Sequence, residues 1–183
     1  MCFIDKTTVD ELENQFSLQP VNQFNSNILQ FSKLSNLFSD WIEQAREFER
    51  VGKYEEAIAV YLKAHAPLDD IYRCEINLSI QNRDFDRMVQ YCILAEDIDW
   101  LQRYIDEPMS AEAKLLGTLY ISLVKTRNVP TDYQSSFIKL IDWVYNSFCE
   151  EEKNKAKNIF QRAYLNALYS LVDSIGRIVG DMK

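Results

Sequence analysis

Glycine and proline are scarce in this chain: its 183 residues contain four of each, about a third of ordinary usage. Both residue types mark the turns that β-sandwiches, β-barrels and phosphate-binding loops need in number. The glycines stand at positions 52, 117, 176 and 180, so neither the glycine fingerprint of a dinucleotide-binding fold nor a P-loop can be formed. This scarcity predicts an all-α protein and excludes nucleotide binding by those two routes.

The chain is acidic, with a formal net charge of -8 at pH 7. Such a charge repels the phosphates of nucleic acids and anionic lipid, so no nucleic-acid partner is expected. The acidic excess is concentrated in residues 41–108, where 8 basic and 15 acidic side chains give a net charge of -7. Two interpretations stay open: a solvated helix surface, or a face that steers a basic partner toward the protein.

The sequence shows neither a targeting segment nor a disulfide framework. The longest apolar stretch, Leu115–Val124, is about half the length that crosses a membrane, so it predicts a buried helix and no membrane insertion. Cys74 and Cys92 lie in helical apolar patterns and are expected to be reduced core residues, and no cysteine pair has metal-ligand spacing. We therefore expect a cytoplasmic protein without a metal or cofactor.

Apolar residues recur every three or four positions along most of the chain, which is the pattern of amphipathic helices. Two helices flank Gly52: one contains Ile28 to Phe48, and the other spans Lys53 to Ala64. Asp84 is placed to cap the partner of a helix over Leu68–Gln81. Further helices are expected from Asp97 or Asp99 to Tyr104, from Ser110 to Val124, from Tyr133 to Cys149 and from Glu151 to about Ile175.

The two ends of the chain differ from the middle. Residues 14–32 carry no charge and are rich in Asn, Gln and Ser, which predicts a loop or an adaptable arm. Gly176 and Gly180 are expected to loosen the tail. The predicted organisation is a partly flexible arm over residues 1–24 and a single helical domain over residues 25–183, whose C-terminal helices (131–176) pack as a cap.

An internal repeat is visible in the middle of the chain. The segments that begin at Tyr54 and Phe85 align at an offset of 31 residues. Around the first segment, aromatic and small residues follow in the order Trp41, Ala45, Phe48, Gly52, Tyr54, Ala57, Tyr61, Ala64 and Pro67. This order and spacing resembles the tetratricopeptide repeat, clearly over residues 41–67 and with degenerate neighbours over 39–125. The resemblance implies a short right-handed stack of helical hairpins with long C-terminal helices.

Members of this family bind extended peptides or helices on the concave surface made by the first helix of each hairpin. The resemblance places that surface on the side chains of Ile42, Arg46, Glu49, Arg50, Arg73, Asn77, Gln81 and Lys114. Arg73 and Asn77 resemble part of the clamp by which chaperone-binding members hold a C-terminal carboxylate, and an arginine suits that task because its donors form a charged fork. Ala111 and Leu115 stand where the clamp needs basic side chains, so ordinary solvated residues and another peptide contact stay open as alternatives.

The sequence does not favour catalysis. His65 is the only histidine and lies at a predicted helix end, where it would interact favourably with the helix dipole. The Gly-x-Ser-x-Gly elbow of serine hydrolases is missing. Acidic pairs such as Asp69 and Asp70 lie where first turns favour negative charge. Trp100 is either a docking anchor or a residue buried between hairpins.

These observations predict a non-catalytic interaction module or adaptor that binds a peptide, a helix or a partner subunit in the concave groove. Two alternatives stay open. One is a small acidic secretion chaperone of the same repeat type, which would hold an apolar client segment and form a dimer through the N-terminal arm. The other is a constitutive subunit of a larger assembly, with the C-terminal helices in an interface. The expected partner is a protein or peptide, in an oligomer or a hetero-complex.

Overall fold

The computed structural model describes the backbone of residues 24–127 and 133–181, and the side chains of residues 37–127 and 137–178. Within those ranges every regular element is a helix, so the predicted all-α class is confirmed. The chain divides into two compact units, residues 1–67 and residues 68–183, which are described separately. Residues 1–23 of the predicted arm lie outside the described part of the chain, and the single domain over residues 25–183 stays a prediction.

The first unit contains helices α1 and α2, and the second contains α3 to α8. Their bounds are α1 Phe24–Arg50, α2 Tyr54–Lys63, α3 Leu68–Gln81, α4 Phe85–Leu94, α5 Ile98–Tyr104, α6 Ala111–Ile121, α7 Tyr133–Val144 and α8 Glu150–Asp181. A π-helical turn, Ser122–Thr126, directly follows α6.

In the first unit, α1 and α2 pack against each other as a hairpin. Ala45 and Ala57 are completely buried, and their small side chains allow the two helices to approach closely. The predicted loop or arm over residues 14–32 overlaps the helix predicted from Ile28, and the structure begins that helix four residues earlier, at Phe24. Asn, Gln and Ser cost at most about 0.7 kcal/mol each in a helix, so an apolar periodicity that continues through them is enough to keep the chain helical.

In the second unit, α4 lies at the centre and contacts α3, α5, α6 and α8. Its Met88, Val89 and Ile93 are fully buried. Gly117 allows α6 to pack closely against the side chain of Ile105, because a Cβ atom at position 117 would lie 2.7 Å from Cδ1 of Ile105. The predicted caps Asp84, Asp97 and Ser110 each accept a hydrogen bond from a backbone N–H in the first turn of their helix.

Two helix ends differ from the prediction. Helix α7 ends at Val144 instead of Cys149, where Gln90 donates a hydrogen bond of 2.6 Å to the Val144 carbonyl and the Tyr145 hydroxyl donates one of 2.8 Å to the Gln90 carbonyl. Helix α8 continues through Gly176 and Gly180 to Asp181, so the predicted loosening of the tail at these two glycines is wrong. Each glycine costs a helix about 1 kcal/mol relative to alanine, and two such costs are too small to end a helix of 32 residues.

The backbone repeats at the predicted offset of 31 residues. Helices α2 and α4 begin at residues 54 and 85 and end at residues 63 and 94. Left-handed residues follow the same offset: Gly52 (φ 74) with Arg83 (φ 56), and His65 (φ 49) with Glu96 (φ 56). Lys53 N–H donates to Phe48 O at 2.9 Å, and Asp84 N–H donates to Ser79 O at 2.8 Å. The turn of the first hairpin therefore recurs in the second with a different residue at its left-handed position.

Candidate functional site

A surface groove of about 260 Å³ lies in the second unit, between α3 and the turn that leads from α4 into α5. Two separate stretches of chain form its walls. The lining residues are Asp69, Arg73, Ile76 and Asn77 on one side, and Ala95, Asp97 and Trp100 on the other. Of the predicted binding residues, Arg73 and Asn77 are the two that the structure brings into this groove.

The α3 wall presents Arg73 and Asn77 on one helix face, because residues four apart are neighbours on an α-helix. The Arg73 guanidinium forms an ion pair of 2.8 Å with Asp70, and its side chain is 48% exposed. Asn77 donates a hydrogen bond of 2.9 Å from Nδ2 to the Arg73 carbonyl. These contacts orient both side chains within the helix, and the exposed part of Arg73 remains accessible to a ligand.

The opposite wall is built around Trp100. Asp97 caps α5 by accepting a hydrogen bond of 3.1 Å from the Trp100 N–H, which places the indole at the groove. The indole stacks on Tyr104 with 5.6 Å between ring centroids and an interplanar angle of 6°, and the Arg103 guanidinium lies 5.1 Å from its centroid. Trp100 is half-buried, so it is held by its own helix and still lines an accessible surface.

The charge of the groove is predominantly acidic. Asp69 and Asp97 line it directly, whereas its only lining cation among the described residues, Arg73, is paired with Asp70. A groove with this balance attracts Lys and Arg side chains and repels carboxylates.

The predicted residues of α1 lie in the first unit. Ile42 is half-buried, Arg46 is exposed, and Arg50 is exposed and ion-paired with Glu47. Glu49 accepts a hydrogen bond of 3.1 Å from the hydroxyl of Tyr61, which is completely buried in α2. Glu49 therefore connects the two helices of its own hairpin.

Gln81 and Lys114 belong to the second unit but not to the groove lining. Gln81 is exposed at the last residue of α3, four residues after Asn77 on the same helix face. Lys114 is exposed on α6, where its ammonium lies 3.8 Å from Asp106. Of the two, Lys114 is on a different helix from Arg73 and Asn77.

A polar cluster between α3 and α4 escaped the sequence reasoning. Glu75 is a buried residue, 8% exposed, and its carboxylate accepts a hydrogen bond of 2.9 Å from Arg87. The Arg87 guanidinium also lies 5.6 Å from the Tyr91 ring centroid. Burial raises the pKa of Glu75, and the charge of Arg87 opposes that rise. Glu75 and Arg87 are 12 residues apart, so only the register of the folded hairpin reveals the pair.

The groups considered for metal binding or catalysis are dispersed. Among the residues whose side chains are described, no three His, Cys, Asp or Glu residues form a group that could hold a metal ion. His65 is exposed just beyond α2, with its ring centroid 6.3 Å from that of Phe38. Cys74 and Cys92 are completely buried, as predicted, and burial raises the pKa of the Cys92 thiol. That the chain is not an enzyme stays a prediction.

No protein-family model matches the chain, and no match is found among curated proteins or solved structures. The resemblance to the tetratricopeptide repeat therefore stays a prediction, based on the residues quoted above. Within the described part of the chain, none of the helices has both the length and the hydropathy that crossing a lipid bilayer requires.

Proposed function

We propose that this chain is a non-catalytic interaction module of the tetratricopeptide-like kind, which binds a segment of another protein in the groove between α3 and α5. The observation that supports this proposal most is the convergence of Arg73, Asn77 and Trp100 on one groove from two different helices. An aromatic side chain beside directional polar groups is typical of protein-recognition surfaces.

The groove chemistry favours a ligand that places a basic side chain next to an apolar one. The carboxylates of Asp69 and Asp97 can accept hydrogen bonds from Lys or Arg. The indole of Trp100 offers apolar area and an aromatic surface to the neighbouring residue. Ile76, which is 3% exposed, adds an apolar contribution to the lining between the polar groups. An amphipathic helix or an extended peptide can supply this combination.

The same chemistry argues against a clamp for a C-terminal carboxylate. Arg73 already has a carboxylate partner in Asp70, and Asp69 and Asp97 would repel a second anion. We therefore prefer a basic peptide segment as the ligand.

The test is selection from a random peptide library displayed on phage, followed by affinity measurements with the enriched peptides. We expect enrichment of Lys or Arg beside an aromatic or aliphatic residue. Asp69→Lys should weaken binding about tenfold, because it reverses a charge on the groove wall. Binding should also weaken as the salt concentration rises.

Glu151→Lys is the matched control, since Asp69 and Glu151 both lie in the first turn of a helix and Glu151 is outside the groove lining. Equal loss of affinity in the two variants would reduce the effect to net charge and contradict the proposed site. Enrichment of peptides with acidic C-termini would overturn the preference for a basic ligand.

A further inference from the structure

A second surface groove lies in the second unit, between the π-helical turn and the later part of α8. Its volume is about 640 Å³, more than twice that of the groove between α3 and α5. On the α8 side, five lining residues are spaced by four and three positions and form one stripe along the helix: Ala163, Ala167, Ser170, Ser174 and Arg177. Leu123 and Arg127 belong to the facing wall. We call this feature the arginine groove.

The arginine groove is apolar at one end and polar at the other. Leu123 and Ala167 are buried, at 1% and 0% exposed, and form the apolar end against the body of the unit. Further along α8, Ser170 is half-buried and Arg177 is exposed. A ligand in this groove therefore meets apolar surface near Leu123 and hydrogen-bonding groups toward the end of α8.

The backbone places Arg127 in this groove. The π-helical turn Ser122–Thr126 ends at Arg127, whose N–H donates to the Ser122 carbonyl, and such turns are frequent at functional sites. The Arg127 guanidinium reaches across to α8, where it donates a hydrogen bond to the Ser170 hydroxyl. A guanidinium has five N–H donors, so this contact orients the side chain and leaves donors for a ligand.

Neither arginine of the groove has a carboxylate partner among the residues whose side chains the structure describes. Asp173 also lines the groove, yet it forms no ion pair with either of them. Other arginines of the unit do form such pairs, as Arg73 does with Asp70 and Arg162 does with Glu96. Because the whole protein has a net charge of -8, two arginines that converge without a carboxylate partner indicate a site for an anionic ligand.

We propose that the arginine groove binds an acidic segment of another protein in an extended conformation, with one carboxylate on Arg127 and a second on Arg177. The planar fork of a guanidinium matches the two oxygens of a carboxylate. The apolar end of the groove accepts an aliphatic side chain of the same segment. This site is separate from the groove between α3 and α5, so either proposal can fail without the other.

The length of the stripe matches such a segment. From Ala163 to Arg177 the helix rises by about 21 Å, which is the length of about six residues of extended chain. Ser170, which Arg127 contacts, and Arg177 are about 10 Å apart along the helix axis, or about three extended residues. We therefore expect two acidic residues about three positions apart in the ligand. A single small anion would engage only part of the stripe.

The position of Asp173 favours a peptide over a nucleic acid. Asp173 lies on α8 between Ser170 and Arg177, and therefore between the two proposed carboxylate positions. A peptide can place uncharged residues beside Asp173, whereas a nucleic acid carries a phosphate on every nucleotide. The net charge of -8 repels a polyanion further.

Fluorescence anisotropy with the full chain and labelled hexapeptides tests the proposal. The probes contain two Glu residues separated by one, two or three uncharged residues, next to a Leu, and both of their termini are blocked. We expect the probe with two intervening residues to bind most tightly. Its analogue with Gln in place of both Glu should bind at least about tenfold more weakly, because it has no carboxylates for the arginines.

Arg127→Gln and Arg177→Gln should each weaken binding of this probe at least about tenfold, because each removes charge-assisted hydrogen bonds. Asp173→Asn should strengthen binding by about threefold, because it removes a nearby negative charge. Arg162→Gln is the matched control: Arg162 is an exposed arginine of the same helix outside the groove lining, so this variant should bind the probe as the wild type does. Circular dichroism checks that each variant is folded, which we expect because all four side chains are exposed.

Absence of binding by every probe up to about 1 mM would overturn the proposal. Equal losses of affinity in Arg162→Gln and Arg177→Gln would also overturn it, because they would reduce the effect to net charge. Displacement of the probe by an equal concentration of inorganic phosphate would assign the arginines to a single small anion instead. Tighter binding of a single-stranded oligonucleotide, lost in Arg177→Gln, would assign the groove to a nucleic acid.

Discussion

The hairpin of α1 and α2 and the hairpin of α3 and α4 turn in the same way but are filled differently. Both turns have a left-handed residue and a backbone hydrogen bond across the end of the first helix, 31 positions apart. At the same offset, Ala45 and Ala57 in the first hairpin correspond to Ile76 and Met88 in the second, and all four are buried. The same backbone turn thus occurs with small contact residues in one hairpin and with large ones in the other.

The polar links across the two hairpins differ as well. In the first, the Tyr61 hydroxyl donates to Glu49; in the second, the Arg87 guanidinium donates to Glu75. The first link has a neutral donor and the second is an ion pair with a buried carboxylate. The turn sets the register of each hairpin, whereas the buried contacts and the polar link differ between the two.

Exchanging the contact residues should have the largest effect. Met88→Ala removes a fully buried side chain and should lower the free energy of unfolding of the second unit by about 3 kcal/mol, since it leaves a cavity. The reciprocal change, Ala57→Met, should cost the first unit about 2 kcal/mol by overpacking. Urea unfolding measures both. If Ala57→Met left the free energy of unfolding unchanged, a small side chain at position 57 would not be needed for the first hairpin to fold.

Removing the donors of the polar links should have an intermediate effect. Arg87→Met leaves the buried carboxylate of Glu75 without its cation and should destabilise the second unit by about 2 kcal/mol. This value is lower than that for a fully buried ion pair, because the Arg87 side chain is 47% exposed and solvent screens its charge. Tyr61→Phe removes a hydrogen bond from a neutral donor to the half-buried Glu49 carboxylate and should cost about 1 kcal/mol. Equal effects in a thermal or urea unfolding series would show that the two links are energetically alike.

The pH dependence of unfolding isolates Glu75. Because burial raises its pKa in the folded state, folding favours the protonated form, and this contribution to stability is lost as the pH rises through the folded pKa. The wild type should therefore gain stability relative to Glu75→Gln as the pH falls from neutral toward the ordinary carboxyl pKa of 4.5. A difference between the two proteins that does not change with pH would show that Glu75 is not desolvated in the folded hairpin.

Changes at the turns should have the smallest effects. Gly52→Ala places a side chain at φ 74 and should cost about 1 kcal/mol, although a Cβ there has no atom within 4 Å. Arg83→Gly relieves the same strain in the second turn and should stabilise it by about 0.5 kcal/mol, after the entropy cost of glycine. Denaturation midpoints of the two variants should shift in opposite directions. Shifts in the same direction would mean that the two turns are not equivalent.

Much of the fold could be predicted because its signals are local. The bounds of α3 follow from the spacing of its apolar residues. The caps of the next three helices are predicted by short polar side chains that precede them: Asp84, Asp97 and Ser110. The early start of α1 and the late end of α8 are not predicted, since uncharged polar residues and two glycines weaken a helix without ending it.

The candidate site could be predicted only in part. Helical spacing placed Arg73 and Asn77 on one face, but the opposite wall at Trp100 depends on how α5 leaves α4, which local patterns do not specify. The same limit applies to Glu75 and Arg87, which meet through the register of the hairpin.

The repeated turns have a consequence for how such a chain can change over generations. The hydrogen bonds that close them join backbone atoms, so a duplicated hairpin can replace nearly every side chain and keep its shape. Glycine occupies the left-handed position of one turn and arginine occupies that of the other. Side chains at these turns can therefore be exchanged over generations while the torsion angles of the backbone stay the same.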